Sequence, residues 1–272
     1  MCAFARPEEV NSEQRRLEIL TEPFRKKFEN KVGTMLKERI VDGPVEVRGK
    51  ICANFPAEGF PNLQGLIKSQ GIVTRLRRGE QLAELGHPTR RIYFIESGVV
   101  AYTRSSQGGR RQVMEFEMAG SCVLPLDDQY DESPCSTEVL SDTEVYMMSV
   151  NSFRRLLLTM PAAREAVALH KAQLLGRVFR SFTNSGCRQG PQKIAWLLAY
   201  LSARLAPVGT TFSNPIPIRQ IDLADAVGVT SVYVNQILRK LEKQQLILLQ
   251  KGAAQVIDLA GLKAFARSVD RV

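Results

Sequence analysis

The sequence is poor in the residues and motifs that enzymes use for catalysis. Only two histidines occur in 272 residues, and the five cysteines Cys2, Cys52, Cys122, Cys135 and Cys187 are scattered without C-x-x-C spacing. There is no P-loop, no G-x-S-x-G motif and no cluster of His, Cys, Asp or Glu at catalytic spacing. These absences argue against an enzyme, a zinc site and a disulfide framework, and the scattered cysteines fit a reducing cytoplasm.

Long apolar runs are also missing, whereas positive charge is abundant. No uninterrupted apolar stretch approaches the roughly 20 residues of a membrane span, and the start MCAFARPEEVNSEQRR turns charged too early for a secretory signal. We therefore expect a cytoplasmic protein without a membrane partner. The net charge is +9, and from Thr183 onward eleven Lys and Arg, Arg204 among them, stand against five Asp and Glu. This imbalance predicts that the C-terminal part meets nucleic acid.

The stretch IRQIDLADAVGVTSVYVNQILRKLEKQQLI, from Ile218 to Ile247, predicts two helices joined by a tight turn. Gly228 suits the end of the first helix, where a residue with positive φ is useful, and Thr230 suits the N-cap of the second. Apolar residues recur at helical spacing and are expected to face inward: Ile221, Leu223, Ala224 and Val227, then Val234, Ile237, Leu238 and Leu241.

The outward face of the second helix is polar at its start and cationic further along. It is expected to carry Ser231, Val232, Tyr233, Asn235, Gln236, Arg239 and Lys240. Such a helix fits the major groove of double-stranded DNA, because its first turn reaches base edges and its later cations meet phosphate. A solvated helical hairpin in an ordinary domain is the alternative, but the period, turn, cap and outward face all favour DNA binding.

The segment DLADAVGVTSVYVNQILRKLEKQQLI resembles the helix-turn-helix of the Crp–Fnr transcription regulators. Members of that family combine a β-roll sensor, a long dimerisation helix and a winged helix-turn-helix. Upstream, RRGEQLAELG followed by RIYFIESGVVAYTR and Gly120 is similar to the β-roll of cyclic-nucleotide-binding domains. The resemblance covers roughly Asn62 to Phe265. It implies a homodimer that binds a palindromic promoter site and has RNA polymerase as a partner.

The resemblance also implies which residues bind DNA. The expected base readers lie in the first two turns of the second helix, at Ser231, Val232, Asn235 and Gln236. Gln236 or Asn235 is suited to adenine, and Val232 to a thymine methyl. The expected phosphate contacts are Arg219, Gln220, Lys240 and Lys251, the last at the tip of a wing formed by LILLQKGAAQVIDL. Thr230, Tyr233 and Arg239 complete the predicted DNA-binding set.

The order of these patterns predicts an α+β chain in four parts. Residues 1–61 are expected to form an N-terminal helical extension, which departs from the family pattern and would pack on the sensor or serve as a partner-binding arm. A jelly-roll-like β-roll sensor is expected at 62–160, a dimerisation helix at 161–184 and a winged helix-turn-helix domain at 185–272.

The predicted long helix carries an apolar seam, formed by Ala168, Ala172, Leu175, Phe179 and Phe182. The alternating spacings of four and three are typical of a coiled coil. A helix that lies on the core of its own domain would show a similar stripe. Because helix-turn-helix proteins need two reading heads on a two-fold site, the homodimer is the favoured interpretation.

Cyclic AMP is not expected as the effector. Members that bind it use a glutamate for the ribose, and an arginine with a small hydroxyl residue for the cyclic phosphate. The matching stretch from Ser121 to Asp142 contains six acids and no Lys or Arg, and Leu124-Pro125 stands where the glutamate would be. A buried phosphate is costly without a fixed cation, so this stretch argues against cyclic nucleotide binding.

Other sensor chemistries are less clearly decided. Iron–sulfur members need clustered N-terminal cysteines, whereas Cys2 stands alone. A haem would need His87, expected at the surface or the core edge, or His170, expected to be exposed. Cys122 and Cys135 could form a thiol switch or be inert packing. No cofactor is predicted, which leaves a small effector, apolar or aromatic, between the roll and the long helix. A sensor-bearing enzyme and a ligand-independent DNA-binding protein remain as alternatives from other classes.

Overall fold

The computed structural model describes residues 63–126, 132–205, 215–250 and 253–268. The predicted N-terminal extension and Lys251 of the predicted wing lie outside this part of the chain. Within it, no helix is both long enough and apolar enough to cross a membrane.

The first half of the described chain is a β-roll that follows a short helix, α1 (Leu63–Gln70). Its strands are β1 (Ile72–Leu76), β2 (Gln81–Ala83), β3 (Arg91–Ser97), β4 (Val99–Ser105), β5 (Arg111–Met118), β6 (Cys122–Val123), β7 (Ser136–Val139) and β8 (Thr143–Ser149). One antiparallel sheet has the strand order β1-β8-β3-β6 and the other the order β2-β7-β4-β5. The two strands predicted around Gly98 are β3 and β4, which lie in different sheets. The chain turns between them at Gly98, whose φ of +93° and close approach to the Asp142 carbonyl leave no room for a side chain.

The space between the two sheets, here called the roll interior, is filled by apolar side chains. Tyr93 and Ile95 of β3 pack there with Val100 and Tyr102 of β4, and Leu174 closes one side. These positions alternate along each strand, because successive side chains of a strand point to opposite faces of its sheet.

Three helices follow the roll: α2 (Val150–Thr159), α3 (Pro161–Cys187) and α4 (Gly190–Leu205). Ser149 caps α2, because its hydroxyl accepts the backbone N–H of Ser152 at 3.1 Å. The long helix predicted by the seam is α3, which has 27 residues and begins with a proline in its first turn.

The C-terminal part contains the two predicted helices of the motif and a β-hairpin. Its elements are α5 (Gln220–Val227), α6 (Ser231–Lys243), β9 (Ile247–Gln250), β10 (Ala253–Val256) and α7 (Leu259–Arg267). The strands β9 and β10 pair antiparallel, as predicted for the wing. Asp258 caps α7 by accepting the N–H of Gly261 at 2.8 Å.

One core joins the roll to the C-terminal helices. In the antiparallel register of β4 and β5, Ala101 lies opposite Phe116 and Val99 opposite Met118. Opposite residues share a face of the sheet, and this face packs against α4, α5 and α6 in a single buried cluster. The other face of the same two strands points into the roll interior, so β4 and β5 separate the sensor core from the helix-turn-helix.

Candidate nucleic-acid interface

The turn between α5 and α6 has the geometry that the sequence predicted. Gly228 adopts a left-handed conformation, with φ of 73°, and its N–H donates to the carbonyl of Ala224 at 2.9 Å. The hydroxyl of Thr230 accepts the N–H of Tyr233 at 3.2 Å and caps α6. Thr230 thus supports the start of the helix that is expected to enter the groove.

Most of the predicted inward residues of the motif are buried, but Ile221 is not. Its side chain is 50% exposed, whereas the neighbouring Asp222 is only 1% exposed. The prediction for Ile221 was wrong because three arginines lie around Asp222, two from the roll and Arg219 from the start of the motif. These ion pairs favour burial of the carboxylate, which an apolar pattern cannot reveal.

The helix α6 is here called the recognition helix. Its exposed face contains Ser231, Val232, Gln236, Arg239 and Lys240. These side chains are exposed and form one largely polar and cationic surface. Tyr233 differs from its predicted outward orientation. It is half-buried against α4, where a Cβ added at Gly190 would lie 2.6 Å from its hydroxyl oxygen.

Asn235 is half-buried and connects the two helices of the motif. Its Nδ2 donates to Oε1 of Gln220 at 3.0 Å, and its Oδ1 accepts from Nε of Arg239 at 3.1 Å. The structure therefore brings together three of the predicted DNA-binding residues, one from the start of α5 and two from the recognition helix.

The roll contacts the first helix of the motif through Arg111, at the start of β5. One guanidinium nitrogen of Arg111 lies 3.1 Å from Asp222 and 2.7 Å from Asp225, both on α5. Its other side binds Glu138 of β7 at 2.8 Å. Burial lowers the pKa of Arg111, but its hydrogen bonds to Asp225 and Glu138 outweigh this effect, so the net pKa is raised and the charge is secure.

A second charged contact between the roll and the C-terminal helices is buried. Glu115 and Glu117 of β5 have no exposed surface. Arg204 of α4 binds both carboxylates, at 3.0 Å and 2.9 Å, and Arg177 of α3 also pairs with Glu117. The Tyr200 hydroxyl donates to Glu115 at 2.8 Å. Arg204, counted in the sequence among cations available to nucleic acid, is instead a buried partner of the sensor.

All five seam residues are exposed on α3. The exposed fraction is 55% for Leu175, 62% for Phe179 and 78% for Phe182. The opposite face of the helix is buried and contains Ala163, Val167, Leu174, Arg177 and Asn184. The seam therefore does not pack on the described core of its own chain, which was the alternative interpretation.

The cysteines and histidines of the roll have distinct environments. Burial raises the pKa of Cys122 to about 12 and that of Cys135 to about 11. His87 is a surface residue, close to Glu84. His170 was predicted to be exposed but is half-buried beside the Cys122 backbone, and desolvation lowers its pKa. No group of three or more His, Cys, Asp or Glu in the described ranges could hold a metal ion.

Two family models match the chain. Residues 73–160 match the model of a cyclic nucleotide-binding domain, and residues 192–265 match the model of a Crp-like helix-turn-helix domain. The first model covers the β-roll up to the end of α2. The second covers both helices of the motif and the hairpin.

Curated relatives are similar over most of the chain. The transcriptional regulatory protein btr of Bordetella pertussis is 23% identical over 219 residues, which cover 79% of this chain and 89% of that protein. The nitrogen fixation regulation protein FixK of Bradyrhizobium diazoefficiens is 24% identical over 218 residues, with the same coverage. The solved structure of FixK2 from Bradyrhizobium japonicum shares the fold, with a TM-score of 0.65 at 18% identity over 73% of this chain and 98% of that one.

Proposed function

Since the chain is a transcription regulator of the Crp–Fnr type, we propose that it binds a two-fold promoter site as a homodimer controlled by a small effector. The exposed seam on α3 is the observation that carries the homodimer. Burial of a Leu or Phe side chain contributes about 1.5–3 kcal/mol, and the same helix of a second copy offers the matching stripe. A two-fold protein suits a two-fold site because each protomer supplies one recognition helix.

In this proposal, exposed residues in the first two turns of the recognition helix read the bases. These are Ser231, Val232 and Gln236, with Gln236 suited to adenine and Val232 to a thymine methyl. The proposed phosphate contacts include Arg219, Lys240 and Lys251. A regulator that acts on promoters works in the cytoplasm, and the family resemblance makes RNA polymerase its further partner.

The effector is proposed to lie where α3 meets the roll interior. Three polar atoms there find no hydrogen-bond partner among the described residues: the Tyr102 hydroxyl, Nε2 of His170 and Nε of Arg177. All three side chains lie around Glu117, which pairs with Arg177 and influences the pKa of Tyr102 and of His170. Unpaired buried polar atoms are costly, so a small uncharged molecule with its own donors and acceptors would suit them.

Cyclic AMP does not suit this site. The two arginines that reach it, Arg177 and Arg204, already pair with the buried carboxylates of Glu115 and Glu117. A cyclic phosphate would have to compete with these acids for a cation, and it cannot protonate to lose its charge. Arg154 and Arg155 offer no alternative, because both are exposed on α2.

A small effector is favoured over a thiol switch or a haem. Thiolates, not thiols, react with oxidants, and the raised pKa values keep Cys122 and Cys135 protonated near neutral pH. His170 is the histidine near the proposed site, and its ring already bonds the Cys122 backbone.

The proposed control acts through the buried charges that join α3, α4 and the strand β5 of the roll. Arg177 on α3 and Arg204 on α4 share the carboxylate of Glu117 on β5. An effector that displaces Arg177 would change the balance of charge around Arg204, and Arg204 belongs to the first helix of the DNA-binding part. Arg111 gives the roll a second hold on α5. These contacts support a signal that sets the position of the recognition helix.

The proposal can be tested on the purified full chain by native mass spectrometry and by selection from random DNA duplexes. We expect a dimer, and a selected sequence with two-fold symmetry. Calorimetry with cyclic AMP and cyclic GMP should give no heat of binding at micromolar ligand. A monomer that selects an asymmetric site would contradict the homodimer, and stoichiometric heat with either nucleotide would contradict the proposed effector chemistry.

A further inference from the structure

We propose that Asn235 is a positioning residue and not a base reader. It joins Gln220 and Arg239 into one surface that binds a phosphate of the DNA backbone, here called the phosphate clamp. This inference rests on the DNA binding of the proposed function and is independent of the dimer and the effector. It replaces the adenine contact that the sequence suggested for Asn235.

The direction of the hydrogen bonds in the clamp is fixed by Arg239. An arginine Nε can only donate, so the Asn235 atom 3.1 Å from it must be the carbonyl oxygen Oδ1. The amide nitrogen of Asn235 then faces Gln220 and donates to its Oε1 at 3.0 Å. Both ends of the Asn235 amide are therefore occupied by partners from its own chain.

The outward atoms of the clamp are hydrogen-bond donors. Gln220 retains its Nε2 group, and Arg239 retains its two terminal nitrogens together with the positive charge. Asparagine recognises adenine by giving one donor and one acceptor at the same time, and Asn235 has its acceptor engaged. A phosphate presents only acceptors and negative charge, so it matches this surface.

The place of the clamp in the motif also favours the backbone. The first helix of a helix-turn-helix crosses the DNA backbone, and base edges are reached by the first turns of the second helix. Gln220 is the first residue of α5, and Arg239 lies in the third turn of the recognition helix. A surface that spans both helices at these points lies where a phosphate strand passes, away from the exposed Ser231 and Val232.

The test compares Asn235→Ala with Gln236→Ala on a selected palindromic duplex and on a random duplex, each at several salt concentrations. We expect Asn235→Ala to weaken binding to both duplexes by a similar factor, and to reduce the slope of log K against log salt by about one. The ratio of the two affinities should stay within about twofold. Gln236→Ala, the neighbouring matched control, should instead reduce that ratio roughly tenfold.

The positioning role is tested by combining Asn235→Ala with Arg239→Ala. If Asn235 acts by positioning Arg239 and Gln220, its loss in the Arg239→Ala variant should cost no more affinity than Gln220→Ala costs on its own. Gln220→Ala leaves the bond between Asn235 and Arg239 intact and keeps the test valid if Asn235→Ala fails to fold. It should reduce the affinity for both duplexes by the same factor, and by less than Asn235→Ala does. A loss confined to the palindromic duplex, or full additivity in the double variant, would overturn the clamp. Absence of wild-type binding to either duplex would overturn DNA binding itself.

Discussion

The recognition helix α6 and the long helix α3 distribute their side chains in opposite ways. In α6 the buried residues are Val234, Ile237, Leu238 and Leu241, and the exposed face is polar or cationic. In α3 the buried face includes Arg177 and Asn184, whereas the exposed face carries Leu175, Phe179 and Phe182. The first pattern is complete within one protomer. The pattern of α3 instead leaves apolar side chains exposed and places the charge of Arg177 in the interior.

The difference shows what each helix does in the molecule. The fully buried residues of the recognition helix are all apolar and pack within the motif, and its exposed face is left for the proposed DNA contact. The long helix buries a cation against Glu117 of the roll, which is stable only because the charges are paired. Its apolar stripe is exposed among the residues that the structure describes. The helix α3 therefore lies between the β-roll and the C-terminal helix-turn-helix part. In our proposal it also contacts the second copy of the chain.

The largest effect is expected from Leu175→Glu, which places like charges opposite each other in the proposed dimer interface. Sedimentation should show a monomer, and affinity for the palindromic duplex should fall by about 10²–10⁴, because the two heads no longer bind together. The control is Leu158→Glu, since Leu158 on α2 is also an exposed leucine, at 76%, but lies outside the seam. A Leu175→Glu variant that remains dimeric would show that the subunits meet elsewhere.

The next effect concerns the buried charges. Arg177→Met leaves two carboxylates with one arginine, and should lower the free energy of unfolding by about 3–5 kcal/mol. The double variant Arg177→Met/Glu117→Met should recover most of this loss, because Arg204 and Glu115 then balance one another.

Urea denaturation at fixed protein concentration measures both variants. Arg75→Met is the matched control, because Arg75 pairs with Glu144 at an exposed site and its loss should cost less than about 1 kcal/mol. If Arg177→Met proves as stable as this control, the buried pair is not needed for folding.

Sequence patterns could predict the helix-turn-helix motif because the residues that determine its turn and its helices are close in sequence. The glycine at 228, the cap at Thr230 and the helical period all lie within a few residues of the contacts they make. The buried charges could not be predicted in this way. Glu117 meets Arg177 sixty positions away, and Asp222 meets Arg111 at a separation of 111 residues. Ile221 and His170 were misplaced for the same reason, since their burial depends on distant partners.

The smallest effect is expected at His170, the half-buried histidine of α3. Desolvation lowers its pKa below the ordinary 6.5, with Arg177 and Arg204 acting in the same direction and Glu117 and the Cys122 carbonyl opposing them. The unfolded chain therefore binds a proton more readily than the folded one as the pH falls below 6.5, and stability is lost there. Replacement by Gln removes this titratable group. The free energy of unfolding, measured from pH 7.5 to 5, should therefore depend less on pH in His170→Gln than in the wild type. The control is His87→Gln, which removes a histidine at an exposed site. If the free energy of unfolding of His170→Gln changes with pH as steeply as that of the wild type, other groups govern the acid sensitivity.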